Sequence, residues 1–358
     1  MKHRLLFCSL GLLTACQMLA QTKPDSTPYS KYIEAVDEYV PAPGQFVNEL
    51  PAYAEGDNAA SMAAKCTERL ANDEGDLVSL GGFGGYITFH FDHSVANVEG
   101  KADFYIAGNS MKDLISADYT EIGGASEPGI VMVSRDDNKN GQPDDAWYEL
   151  AGSADVDSVG KVDYGYEITY RLDPMKPVPW TDNRNNSGTI NRVNAHKQEY
   201  FPLWLGNELK FKGTRLPDNA VDVNGDGSHW SLLFYRYGYV DNKPNTDKEA
   251  CSFDISWAVD GDRKPVNLDR IDFIRVYNAM NQQCGRLGET STEIAGAEDL
   301  HLEESIKLTT GILNTTTSEG AITEVARYKA DGTRISSPVK GINIIRMSDG
   351  TTRKVVVR

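Results

Sequence analysis

The stretch YITFHFD, residues 86–92, decides the fold class. Ile87, Phe89 and Phe91 fall on one side of an extended chain, and Thr88, His90 and Asp92 fall on the other. That is the period of two of a half-buried strand. The same texture recurs in ADFYIAG (102–108), GIVMVS (129–134), AWYELAG (146–152), YEITYRL (166–172), WSLLFYRYGYV (230–240), SFDISWAV (252–259) and IDFIRVYNA (271–279). Gly, Asn, Asp and Pro separate these runs, as turns require. One stretch, residues 57–72, reads as helix, with Asp57 or Asn58 as its cap. Many strands with long connections and almost no helix predict an all-β protein, a jelly roll or β-sandwich over residues 37–302.

Composition agrees. The chain has 358 residues, 40% of them hydrophobic, which suits a folded core. Tyr (17) exceeds Phe (11) and there are 32 Gly, a mix that favours strands and turns. The net charge of −16 repels phosphate backbones, so nucleic acid is excluded as a partner class.

Residues 1–21 read as a signal peptide. Lys2, His3 and Arg4 precede an apolar run, Leu5 to Ala15, that is too short to span a bilayer. Leu13-Thr14-Ala15-Cys16 has the form of a lipobox, while Met18-Leu19-Ala20 before Gln21 has the form of an ordinary cleavage site. The two alternatives stand side by side, and both place the mature chain outside the cytoplasm. Residues 22–36 form a polar leader. Cys66, Cys251 and Cys284 lie beyond the signal region; Cys251 and Cys284 either pair or remain buried thiols.

Residues 303–320 are rich in Thr and Ser and read as a linker. Residues 321–358 close the chain with four short strands and two hairpin turns, Asp331-Gly332 and Asp349-Gly350. Here a resemblance enters. Glu324-Val325-Ala326-Arg327-Tyr328, Asp331-Gly332, Pro338-Val339-Lys340-Gly341-Ile342-Asn343-Ile344, Asp349-Gly350 and Lys354-Val355-Val356-Val357 occur in that order. The segment resembles the type A C-terminal sorting domain of the Bacteroidota type IX secretion system. The resemblance implies a small β-sandwich that addresses the protein to secretion machinery and to the cell surface or outer membrane. The central domain resembles a group of Bacteroidota cell-surface jelly-roll proteins. It does so through Tyr39–Phe46, SLGGFGGYITFHFDH (79–93), SEPGIVMVSRDDNKNGQPDDAWYELAGS (126–153), GTRLPDNAVD (213–222), FDISWAVDGD (253–262) and GETSTEIAGAEDL (288–300). That resemblance implies a binding role beside an outer-membrane transporter, with a glycan or a corrinoid as ligand.

Several motifs invite chemistry. In Asp136 to Asp145 the residues Asp136, Asn138, Asn140 and Asp144 alternate like the oxygen ligands of a calcium loop. Gly141 permits the turn, the Gln142 carbonyl takes a middle position, and Asp145 supplies the closing carboxylate where Trp147 replaces the usual Glu. A structural calcium ion is expected there; the alternative is a polar hairpin held by Asx turns. Asp222, Asn224, Asp226 and Gly227 offer half of such a loop, more simply read as a tight turn. GGFGGY (81–86) is not a dinucleotide fingerprint, because residue 87 is Ile and a strand follows. It reads instead as a backbone corner. His90 and His93 are three apart on a strand and face opposite sides.

No nucleophile elbow or HExxH motif occurs. Glu289, Glu293, Glu298 and Asp299 offer paired carboxylates for an alternative as a polysaccharide-degrading enzyme. A third alternative is a structural or assembly protein of the cell envelope. The primary expectation is non-catalytic ligand binding through aromatic loops. Trp180, Trp204, Trp230 and Tyr237 are the candidate contacts, and Trp180 and Trp204 are expected to be exposed.

Overall fold

A computed structural model of the protein describes residues 29–72, 75–157, 160–310, 324–329, 333–347 and 352–357. The signal peptide, both cleavage sites, residues 22–28 of the leader, most of the linker and the Asp331-Gly332 and Asp349-Gly350 turns lie outside the described residues. The chain divides into two compact units, Met1–Thr309 and Thr310–Arg358.

The first unit is an all-β sandwich around a six-stranded antiparallel sheet. The strand order is Ala35–Val40, Tyr86–His90, Phe273–Asn278, Gly129–Ser134, Trp147–Leu150 and Ala258–Val259. The alternation in YITFHFD fixes its faces: Ile87 pairs with Val276 and Phe89 with Ile274, and all four enter the main core with Phe91. A three-stranded sheet (Ser252–Phe253, Phe104–Ala107, Gly296–Asp299) and the helix Ala59–Leu70 contribute to the same core. Tyr86, on the opposite face, packs against a second core. That core is built on a four-stranded sheet whose outer strands are Ser187–Ile190 and Glu208–Arg215. In its strand Asp163–Arg171, Tyr166, Ile168 and Tyr170 alternate into the interior.

The helix starts where expected. The Asn58 side chain accepts from Ser61 N (3.1 Å), and Ser61 Oγ accepts from Asn58 N (2.9 Å), so two otherwise orphaned amides are satisfied reciprocally. Two boundaries differ from expectation. Ile33 is already buried and the first strand opens at Ala35, inside the segment read as leader. A second helix, Leu302–Thr309, occupies the start of the segment read as linker. Its buried Ser305 accepts from Ala96 N (3.0 Å), which ties it to the sandwich. The described residues of the second unit form one four-stranded antiparallel sheet, with Glu324–Lys329 and Gly341–Met347 at its centre. Cys66, Cys251 and Cys284 are all buried free thiols, so Cys251 and Cys284 do not pair.

The two histidines separate as the strand geometry requires. His90 meets Asp37 (2.9 Å), whereas His93 is buried between Asp92 (2.7 Å) and Asp299 (2.8 Å). Burial alone lowers the His93 pKa, but hydrogen bonds and charge from Asp299 and Asp92 outweigh it and raise the group above 6.5. A histidine raised on folding stabilises most below its unfolded pKa, and that contribution is lost as pH rises through the folded value. The melting temperature of wild type relative to His93→Asn is therefore expected to be highest near pH 5.5. The gap should close as pH is raised past 6.5, as followed by thermal unfolding across a pH series.

Candidate functional site

The glycine corner and the segment before it set one end of the site. Gly81 (φ 67°) and Gly84 (φ 84°) adopt backbone that other residues rarely tolerate. The corner brings Gly81 so close to Gly44 that a Cβ on Gly44 would stand 2.7 Å from Gly81 Cα and 2.6 Å from a Glu289 oxygen. Glu289 is clamped there: Oε1 accepts from Gln45 N (2.6 Å), while Gln45 Nε2 donates to the carbonyls of Leu287 (3.0 Å) and Glu289 (3.1 Å). Asn278, at the end of a central strand, donates to the carbonyls of Gly81 and Thr290. The 287–290 segment is thus fixed to the core of the sandwich.

Opposite this segment stands a small sheet in the order Ala220–Asp222, Trp230–Leu233, Gly123–Ala125, Met111–Lys112. Its first hairpin turns through Asp222, whose carboxylate accepts from Gly225 N (3.1 Å) and Gly227 N (2.8 Å). The 222–227 stretch is therefore the tight turn, and it delivers Ser228, His229 and Trp230 to the site. Between sheet and segment lies a cavity of about 560 Å³. Met111, Leu114, Ile115, Trp230, Leu232 and Leu287 supply apolar lining, and Glu127 and Glu289 are the glutamates that line it. Leu114 is 84% exposed and Ile115 82%. Four of the twelve large apolar side chains exposed among the described residues (Met111, Leu114, Ile115 and Leu287) line this one cavity. Such concentration of exposed apolar surface differs from ordinary surface scatter and makes this cavity the candidate contact site.

Behind Glu127 lie two more buried acids. One oxygen each of Glu127, Asp241 and Glu293 lies within 4.8 Å of the others. Asp241 has φ 55°, a conformation Asp tolerates better than most residues. Its Oδ1 accepts from Asn109 N (2.7 Å) and Ser110 N (2.8 Å), and its Oδ2 from Glu293 N (2.9 Å). Glu293 accepts from Ser291 Oγ (2.8 Å) and Asn109 Nδ2 (3.1 Å), and Glu127 Oε1 accepts from Ser291 N (3.3 Å). Among the described residues, no Lys, Arg or His forms an ion pair with any of these three acids or with Glu289. Burial pushes Glu289 up to about 8 and Asp241 up to about 7. Burial, with the Asp241 charge beside it, pushes Glu293 up to about 8. Burial and the neighbouring carboxylates hold Glu127 well above the usual carboxylate range. The inner end of the cavity therefore carries carboxyl groups that are in part protonated at neutral pH and can donate as well as accept hydrogen bonds.

The chain matches no known family model and no curated protein.

The predicted contacts scatter. Trp230 lines the cavity. Trp204 is half-buried, stacked between Tyr39 (5.7 Å) and Tyr53 (6.0 Å) on the main core, and Trp180 is half-buried against the second core with Gly188 beneath its ring. Neither is exposed as expected: Trp180 stands in the strand Val178–Asp182, paired with Tyr170 and Gly188 across the sheet, and Trp204, in a connection, fills the gap beside the main core. Tyr237 packs on Trp257 (5.4 Å), away from the cavity. The 289–299 acids also divide. Glu289 lines the cavity and Glu293 lies behind it, but Glu298 is paired with Lys31 and Lys248 and Asp299 with His93.

In the 136–145 loop, Asp136 accepts from Asn140 N (3.1 Å) and Gly141 N (2.9 Å), and Asp145 accepts from Asp137 N (3.1 Å). The side-chain amides of Asn138 and Asn140 donate to Asp144 (2.9 and 3.0 Å). The polar side chains thus satisfy one another and the backbone, and an ion there would have to take Asp144 from those amides. Gln142 N donates to Asn140 Oδ1 (2.8 Å), and its carbonyl accepts from Asp144 N (2.9 Å).

Proposed function

We propose that this chain is an exported, non-catalytic ligand-binding protein whose binding site is the cavity between the 111–125 and 220–233 strands and the 284–290 segment. The observation that carries this reading is the meeting of exposed apolar walls, the Trp230 ring and the Glu127 and Glu289 carboxyl groups in one cavity. Apolar walls with few convergent polar groups are the usual build of a small-molecule site. The ligand is amphipathic: an apolar or flat face packs on Trp230 and Leu287, and a polar edge reaches the two glutamates. A corrinoid inserting one edge fits that description better than a glycan, whose hydroxyls would meet mostly apolar walls. Calcium at Asp136, Asn138, Asn140, Gln142, Asp144 and Asp145 is proposed only as a structural ion. Partners in the envelope, secretion machinery through residues 321–358 and an outer-membrane transporter, belong to the same proposal.

The test is a thermal-unfolding screen of the full chain against cobalamin and a glycan panel. A ligand at a hundred times its dissociation constant adds about 2.7 kcal/mol of stability. Trp230→Ala should weaken binding of the best ligand about thirtyfold, the size of an anchor residue in a buried contact. The rival reading as a glycan-cleaving enzyme gains weight only if a panel glycan is cleaved and Glu289→Gln stops the cleavage.

A further inference from the structure

The geometry points to a divalent-cation site, formed by Glu127, Asp241 and Glu293 at the inner end of the cavity and distinct from the 136–145 loop. Three carboxylates within 4.8 Å, with no basic side chain paired to them among the described residues, need neutralising by protons or by a cation. Three carboxylates offer roughly twelve acceptor sites, and the donors named above fill about half of them.

A second observation separates the two possibilities. Buried polar atoms without partners occur on a residue bonded to this cluster and on residues that line the cavity with Glu127. Ser110 is 6% exposed and its N–H already holds Asp241, yet its Oγ has no partner. Glu289 and Thr290, each 3% exposed, line the same cavity as Glu127, and Glu289 Oε2 and Thr290 Oγ1 also lack partners. Shared protons would quiet the three acids but leave those oxygens unused. A cation that keeps water or ligand oxygens on its cavity side would neutralise the acids and give the orphaned groups partners.

The donor set is all oxygen and carboxylate-rich, which selects a hard ion, and carboxylates supplied together by a buried protein cage suit Ca²⁺ better than Mg²⁺, which sheds its waters reluctantly. Because Glu127 faces the cavity, such an ion would be reachable from solvent, and a ligand with an oxygen donor could complete its shell. This inference does not depend on the identity of any cavity ligand.

The experiment is calorimetric titration of the chelator-treated full chain with CaCl₂ and, separately, MgCl₂. The variants are Glu127→Gln, Glu293→Gln and the loop pair Asp136→Asn/Asp144→Asn. Wild type should bind Ca²⁺ at a site whose affinity falls roughly tenfold or more in Glu127→Gln, since even groups that only support ligands cost that much. The loop pair should leave that site intact. Should Glu293→Gln fail to fold, Glu127→Gln, half-buried at the cavity, carries the test alone. The inference is overturned if wild type binds no Ca²⁺, if Glu127→Gln binds as wild type does, or if only the loop pair removes binding. In each of those cases the acids are neutralised by protons.

Discussion

Gly85→Ala destabilises the sandwich more than any other substitution considered. Its Cβ would lie 1.9 Å from the Leu80 carbonyl oxygen and 2.3 Å from Ala42 N. Those two atoms are themselves hydrogen-bonded at 3.0 Å. The methyl group would therefore sit on a backbone hydrogen bond, and relief requires moving two main-chain segments rather than rotating a side chain. Overpacking against side chains costs about 1–3 kcal/mol. Here the obstacle is backbone on both sides, so a loss above about 4 kcal/mol is expected, the range of exceptional substitutions. Urea unfolding followed by circular dichroism checks it. Gly261→Ala, where an added Cβ meets nothing within 4 Å, is the control and should stay within about 0.5 kcal/mol of wild type.

Asp241→Ala has the second largest expected effect. Removing the carboxylate orphans three backbone amides at once, those of Asn109, Ser110 and Glu293. Each buried donor left without a partner costs about 1–3 kcal/mol. The loss of a buried carboxylate beside Glu293 and Glu127 relieves part of this, so a net destabilisation of about 3 kcal/mol is expected. Asp241→Asn keeps one acceptor oxygen but turns an amide NH₂ toward a backbone N–H, so it should fall between. The denaturation midpoints, with slopes unchanged, should order as wild type, Asn, Ala. A wild-type midpoint in Asp241→Ala would mean that the three amides find other partners.

The strands were legible because YITFHFD and IDFIRVYNA carry their faces in their own alternation, and Ile87 meets Val276 as that alternation demands. The helix was legible through its Asn58 cap and its Ala-rich run. GGFGGY was correctly a corner, because a strand follows it. The site was legible only in fragments. Glu289 and Glu293 stood out as neighbours in sequence, but Glu127 and Asp241 are single acids in unremarkable segments, more than a hundred residues apart. Only the fold brings them together, and no spacing rule links them. Trp180 and Trp204 misled for a related reason: a Trp flanked by Pro and polar residues can as well be packing from a strand, as Trp180 does, or from a connection, as Trp204 does, as a ring waiting for a ligand. Leu114 and Ile115 gave the opposite signal, since an exposed apolar pair in a loop is invisible until the loop is seen beside the cavity.

The proposed function places ligand in the cavity beside Trp230, Glu127 and Glu289. Calorimetric titration tests it most directly, using the panel compound that most raises the melting temperature of the full chain. Wild type is compared with Trp230→Ala and with the double variant Trp180→Ala/Trp204→Ala. About thirtyfold weaker binding is expected in Trp230→Ala, and unchanged affinity in the double variant, whose rings lie off the cavity. Full-strength binding in Trp230→Ala with loss in the double variant, or no panel compound that raises the melting temperature at all, would contradict it.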